Sequence, residues 1–372
     1  MAYLGENIRK LGFGLMRLPR EGRAIDVEQV KVMVDRFLSA GFTYFDTAWA
    51  YAGSEDAIRQ ALVERYPRES YQLATKNAAW IKCRTREDAI RQFDESLRRT
   101  GAGYFDFYLL HNLGEGRTQL FEDFDLWRFV QEKKAEGLIR HIGFSFHSTP
   151  EALEEVLQKH PEAEFVQLQI NYSDWDSADV QSRRCYEVAR KYGKSVIVME
   201  PVKGGMLANP PQVVRDIFRE AEPESSCASW AIRFAADLEG VITVLSGMSS
   251  VEQMEDNLAT MSHFTHLSES ERAALDKARE AIRKMPLIQC TGCNYCAKVC
   301  PNDIGVSGAF AAYNHFVMYG DAEGARRQFN HPDHRGHAMP AACARCGECE
   351  EACPQHLHIR DLLEKVSETL GV

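Results

Sequence analysis

Two stretches, CTGCNYCAKVCP from Cys290 and CARCGECEEACP from Cys343, each place four cysteines at x2, x2 and x3 intervals, with proline after the last. Thiolates are the soft ligands that iron–sulfur clusters take, and this spacing is the bacterial two-cluster pattern. In that pattern the fourth cysteine of each run serves the other cluster. One [4Fe–4S] cluster is therefore expected on Cys290, Cys293, Cys296 and Cys353, and a second on Cys343, Cys346, Cys349 and Cys300. Zinc is the competing ion, but a four-thiolate site would leave the x3-C-P arms idle. Eight of the 11 cysteines fall in these runs, and such grouping argues for metal over disulfides in a reducing compartment. Cys83, Cys185 and Cys227 stand apart and are expected to be buried small hydrophobes.

A cluster moves electrons singly, so the residues before Cys290 must be asked what they do with electrons. Short β-branched or aromatic runs alternate there with amphipathic segments. The strand candidates are 11–16, 42–47, 71–76, 105–111, 139–145, 165–170, 195–200 and 241–246. Helical patterns follow at 26–40, 54–66, 86–100, 122–136, 149–160, 176–192, 223–237 and 250–260, with glycine stops at Gly41, Gly101, Gly137 and Gly193. Eight strand–helix repeats predict an α/β fold, a (β/α)8 TIM barrel, over an open doubly wound sheet. The expected division is a barrel over 1–265, a linker helix over 266–285 and a small α+β ferredoxin-like iron–sulfur domain over 286–372. Within the last, an apolar helix is expected near 306–319, then a polar loop whose His331, His334 and His337 read as solvated.

The formal net charge of −10, without a basic run, argues against nucleic acid and anionic membrane as partners. No apolar run approaches the roughly 20 residues of a membrane span. The stretch MAYLGENIRKLGFG has no apolar signal region, so a cytoplasmic location is expected.

Barrel chemistry sits at the C-terminal ends of strands. Those ends read Asp46 (with Tyr51 five residues on), Lys76, His111, Ser145, Gln167 with Gln169, Glu200 and Ser246. Asp46, Lys76 and His111 end consecutive strands and should converge with Tyr51. A tyrosine hydroxyl is a poor acid or base near neutrality, and an adjacent ammonium brings its pKa down. Asp46 would hold the Lys76 ammonium in place. His111 would donate a hydrogen bond to a carbonyl oxygen, which Tyr51 then protonates as hydride reaches carbon.

The segments FTYFDTAWAY (42–51), LATK (73–76) and LLHNL (109–113) resemble the aldo-keto reductase superfamily, and IGFS (142–145), PVKGG (201–205) and GMSSVEQMEDNL (247–258) extend the likeness. The whole chain looks like the bacterial branch with a C-terminal ferredoxin-like domain. The resemblance implies an oxidoreductase that interconverts aldehydes or ketones and alcohols with NAD(P)H, without metal or flavin in the barrel. It places the family's catalytic Asp, Tyr, Lys and His on Asp46, Tyr51, Lys76 and His111. It puts Ser145 and Gln167 on the nicotinamide carboxamide, although the neighbouring Asn of the common motif is Phe146 here. Met199 and Glu200 stand where the family often stacks a tyrosine. Pro201, Lys203, Gly204 and Gly205 are expected around the pyrophosphate, with Ser246, Gly247, Gln253, Asp256 and Asn257 towards the adenine end. The usual basic residues for a 2′-phosphate are missing from SGMSSVEQ, so NADPH is not favoured over NADH. Trp49, Trp80, Phe144, Phe146 and Trp175 are expected either to line an apolar substrate pocket or to pack the loops.

Hydride transfer moves two electrons together, whereas a cluster supplies one. Three readings follow. The barrel is a self-contained carbonyl reductase whose clusters brace the fold or dock a ferredoxin or other electron carrier. Alternatively a bound flavin splits electron pairs, or the chain is a redox sensor. The intact tetrad favours the first.

Overall fold

Eight parallel strands close on themselves in the computed structural model, which describes residues 4–371 apart from 6, 115, 179 and 330–335. His331 and His334 thus lie outside the described residues. In chain order the strands are β1 (Leu11–Gly14), the short hairpin β2 (Arg20–Glu21) and β3 (Ala24–Ile25), β4 (Tyr44–Asp46), β5 (Gln72–Asn77), β6 (Phe105–Leu113), β7 (Ile139–Phe146), β8 (Phe165–Gln169), β9 (Ser195–Met199) and β10 (Val241–Ser246). The barrel runs β4 to β10 in sequence order and closes through β1, while β2 and β3 pair outside it. This is the expected (β/α)8 architecture.

Alternation along each strand divides inside from outside. Tyr44, Ala74, Phe107, Leu109, Phe165, Ile197, Ile242 and Leu245 pack into one interior cluster. Parity then carries the site. Ala74 lies opposite Asp46, so Lys76 stands on the same face two residues nearer the C-terminal rim. Leu109 lies opposite Lys76, so His111 rises two residues further. Gly143 and Ser145 continue that face on β7, with Ser145 opposite Gln167 of β8.

Several helices differ from expectation. The helix expected at 122–136 breaks into Thr118–Asp123 and Leu126–Ala135, because Asp125 takes a positive φ of 51°. The one expected from 176 begins at Ser182, since the preceding loop is folded around Asp174, whose carboxylate accepts from Gln169 and Asn171 at 3.0 and 2.9 Å. A helix at Gln212–Ala221 was not anticipated, and the polar stretch expected as a loop contains the helix Ala322–Phe329. The four glycine stops all have positive φ as expected.

Two compact units emerge: Met1–Pro201 with Ala231–Leu267, and Val202–Trp230 with Ser268–Val372. The helix Glu269–Arg283, read from the sequence as a linker, and the segment 202–230 group with the cysteine-rich tail. In that second unit Phe218 stacks on Trp230 at 4.6 Å. Cys296, Cys349 and Cys353 share a core with Ile288, Phe310, Tyr313 and Leu363. Its described β-structure is one parallel bridge, Ile304 to Ala338.

The barrel interior is filled to contact. A methyl carbon on Gly143 would stand 2.6 Å from both the ring and the carbonyl oxygen of Phe165. Gly143→Ala should therefore cost about 1–3 kcal/mol, seen as a lower urea midpoint by tryptophan fluorescence. An unchanged midpoint would show that the interior yields without cost.

Candidate active site and iron–sulfur ligands

Lys76 has no exposed surface, and its ammonium donates to Asp46 Oδ1 and, at 2.7 Å, to the Thr47 carbonyl. Gln167 donates to Asp46 Oδ2 at 3.1 Å. Burial pushes the Asp46 carboxyl up and the Lys76 ammonium down, and the attraction between the two opposes both shifts. The Lys76 Nζ lies 5.1 Å from the centre of the Tyr51 ring. That ring meets His111 edge-on at 5.8 Å, and Trp80 meets His111 from another side at 6.0 Å. The four residues singled out at successive strand ends are thus brought together.

The loop bearing Tyr51 is tied down by residues that strand-end reasoning missed. Thr75, beside Lys76 but on the opposite face of β5, donates to Glu55 at 2.8 Å. Arg99 bridges Glu55 and Glu95, each at 3.3 Å, and Trp49 Nε1 donates to Glu95 at 2.8 Å. Burial pushes the Glu55 carboxyl up, opposed by its bonds to Thr75 and Arg99. The available signal was a Glu four residues beyond Tyr51 with one of four arginines on the next long helix, too common a pattern to single out.

The residues expected around a dinucleotide are less uniform. Ser145 is fully buried and its Oγ accepts the Asn112 N–H at 2.7 Å. Asn257 is buried and donates to Ser246 Oγ at 2.7 Å, so it anchors the helix Val251–Ser262 to β10. Gln253 is exposed and its Oε1 accepts the Ser249 N–H at 2.8 Å, while Asp256 and Gly247 are half-buried. Glu200 is drawn to Arg17 at 3.2 Å. Pro201 and Lys203 are buried and Gly204 is exposed. Among the aromatics, Phe144 and Phe146 are buried on the outer face of β7, where Phe144 meets Trp127 at 5.8 Å. They therefore pack the barrel wall and do not line a pocket, because they alternate with the inward Gly143 and Ser145. Trp175 packs on Phe234 and Tyr186, each at 5.6 Å. Trp80 alone of the five contacts the tetrad among the rings described.

In the second unit the eight motif cysteines divide into two sets. Cys290, Cys293, Cys296 and Cys353 line one cavity, and Cys300, Cys343, Cys346 and Cys349 line another. This is the crossed arrangement expected from the spacing. Backbone N–H groups of Gly292, Ile304 and Arg345 donate to the sulfurs of Cys290, Cys300 and Cys343, each at 3.4 Å. Such bonds stabilise bound thiolates and tune a cluster. Among the described residues no three His, Cys, Asp or Glu side chains close on a single point. The donor set itself, four thiols around each cavity, is the one that [4Fe–4S] clusters take. Burial pushes the Cys349 thiol up to about 11 and the Cys296 thiol up as well. Of the three separate cysteines only Cys185 is buried; Cys83 and Cys227 are half-buried, against expectation. Cys83 sits in a loop, where its sulfur accepts from Gln92 at 3.2 Å.

Residues 10–280 match the aldo/keto reductase family, and residues 289–358 match the 4Fe-4S dicluster domain. An uncharacterized oxidoreductase of Schizosaccharomyces pombe is 24% identical over 265 residues, covering 68% of this chain and 81% of that protein. The holo form of aldo-keto reductase AKR11C1 from Bacillus halodurans superposes with a TM-score of 0.60 at 24% identity, covering 74% of this chain and 95% of that one. An aldo/keto reductase from Klebsiella pneumoniae in complex with NADP and acetate gives 0.58 at 23% identity, covering 73% and 91%. No described helix is long and apolar enough to cross a membrane. With the family match running through every strand of the barrel, the chain is an oxidoreductase that belongs to the aldo/keto reductase family and carries a 4Fe-4S dicluster domain later in its sequence.

Proposed function

We propose that the barrel, residues 1–265, interconverts a small aldehyde or ketone and its alcohol with NAD(P)H, using Tyr51 as general acid and base. Residues 286–372 would hold two [4Fe–4S] clusters that exchange electrons with a ferredoxin-type carrier in the cytoplasm, with 266–285 as the connection. The observation that carries this reading is the Lys76 ammonium, buried, paired with Asp46 and 5.1 Å from the Tyr51 ring.

A bound nicotinamide would supply the hydride. The chain supplies the rest. His111 orients the carbonyl oxygen and offers it a hydrogen bond, while Tyr51 gives that oxygen its proton. Lys76 favours the phenolate left behind, and Asp46 keeps Lys76 charged despite its burial. Ser145 and Gln167 are proposed to hold the carboxamide. Pro201, Lys203, Gly204 and Gly205 would hold the pyrophosphate, with Ser246, Gly247, Gln253, Asp256 and Asn257 towards adenine. The Klebsiella relative, with its NADP, supports a dinucleotide at this site. Neither the barrel geometry nor the relatives support the flavin alternative.

Tyr51→Phe removes one hydroxyl from a half-buried ring and should lower carbonyl reduction by about 10²–10⁴-fold, with dinucleotide binding retained. Full activity in that variant would refute the assigned proton donor. For the clusters, Cys346→Ser should reduce iron per chain by up to half and Cys293→Ser should do the same for the other set. Wild-type iron in either variant would sink the two-cluster assignment.

A further inference from the structure

The two cysteine motifs head two related halves of the second unit. Positions in the first half correspond to positions 53 residues later, as Cys290 does to Cys343. Gly292 and Arg345 correspond, at φ 67° and 54°, and each donates its backbone N–H to the first sulfur of its own motif. Asn294 and Gly347 correspond, at φ 62° and 90°. A helix follows each motif, Val306–Tyr319 and Ile359–Leu370, and its second residue is Ser307 in one half and Arg360 in the other. Ser307 is buried, donates to Asn294 and lines the cavity of the first cysteine set with it. Arg360 lines the cavity of the second set, and its guanidinium carbon and Nη1 stand 3.8 Å from where a methyl carbon on Gly347 would lie. The same turn thus meets a neutral hydroxyl in one half and a guanidinium, which stays charged, in the other. Among the described residues that line the two cavities, Arg360 is the only one with a charged side chain. Glu350 holds it, accepting from Nε at 3.0 Å, from Nη2 at 2.8 Å and from the Arg360 backbone N–H at 2.8 Å. Nη1 takes no part in that clamp.

We propose that Arg360 sets the two clusters apart, raising the reduction potential of the one held by Cys300, Cys343, Cys346 and Cys349 above that of the other, so that a single electron on the chain rests there. This rests on the two-cluster reading above. Reduction takes one electron from an external donor and makes the bound cluster more negative by one charge. Cluster potentials follow net charge, hydrogen bonds to sulfur and solvent exposure. A cation at the cavity wall favours the more negative form, more strongly where little water screens it. Glu350 opposes this in part, but it does not line the cavity, so the nearer charge of the pair is the positive one. Arg345, the other cation of that loop, is matched by Asp361 and Glu364 at 2.9 and 3.0 Å and does not line the cavity either. Solvent acts in the same direction as Arg360, since Cys346 is exposed and no cysteine of the first set is. In the first half Ser307 brings no charge to offset an added electron.

The test uses the full-length protein with both clusters in place. An anaerobic dithionite titration followed by electron paramagnetic resonance reads the midpoints, and iron per chain is measured for every variant. Cys346→Ser tells the two clusters apart: the midpoint it leaves unchanged belongs to the first cluster and should be the lower of the pair. If it is the higher, the proposal is overturned. Arg360→Met should lower the second midpoint alone; a tenfold weaker hold on the electron corresponds to about 59 mV. Arg360→Lys keeps the charge and should lower it less. Glu350→Gln removes the counter-charge but keeps an acceptor for the Arg360 N–H, and should raise the same midpoint. Lost packing alone would not move that midpoint down in one variant and up in the other. Should Arg360→Met fail to hold its iron, the sign of the shift in Glu350→Gln decides. With full iron, an unmoved second midpoint in either variant overturns the role of Arg360 while the two-cluster reading stands. A wild-type protein with iron for one cluster and one paramagnetic centre sinks that reading and the proposal together.

Discussion

A lysine ammonium with no exposed surface must find its counter-charge inside the protein, and Asp46 supplies it to Lys76. Stripping water from both ions is costly, and breaking such a pair by removing one partner typically costs about 3–5 kcal/mol. The pair stands because other groups share the load. The Thr47 carbonyl takes a second hydrogen of Lys76, and Gln167 reaches Asp46 from β8. These partners come from three strands, so only the closed barrel assembles them. In the proposed reaction the same desolvation would let the ammonium act strongly on the neighbouring Tyr51, since little water screens it.

Around that pair the protein keeps Tyr51 on a loop but limits its freedom. Thr75, Glu55, Arg99, Glu95 and Trp49 form a chain of hydrogen bonds on the outer side of β5, fastening the loop at both of its ends. A loop so anchored would give the proton donor proposed above the fixed orientation that catalysis needs. The buried Glu55 is the costly member of the chain, and its bonds to Thr75 and Arg99 offset that cost.

The iron–sulfur unit follows a different economy. Its cysteines belong to its hydrophobic core, with Cys296, Cys349 and Cys353 packed among aliphatic and aromatic side chains. The unit also draws on sequence far from the cysteines, since 202–230 and the helix Glu269–Arg283 group with it. Asn314 pins the segment entering the first motif through paired bonds to Ile288, at 2.7 and 2.8 Å.

By itself the sequence determined what depends on local pattern. The x2, x2, x3 cysteine spacing announced both ligand sets, and each set lines its own cavity. Strand parity and the order of strand ends were enough to gather Asp46, Lys76, His111 and Tyr51, because in a barrel consecutive strands are neighbours. Features that depend on partners distant in the chain were not legible. For Phe144 and Phe146 the sequence left pocket lining and packing both open, and the register decided for packing, with Phe144 against Trp127. The hydrogen bond of Asn257 to Ser246 on β10 was likewise not visible in the linear pattern. PVKGG read as a phosphate loop, yet Gly204 also rests on Thr291, 87 residues away. Burial and hydrogen-bond pairing are properties of the folded surroundings of a residue, and a linear pattern shows those surroundings only where they repeat with the period of a helix or a strand.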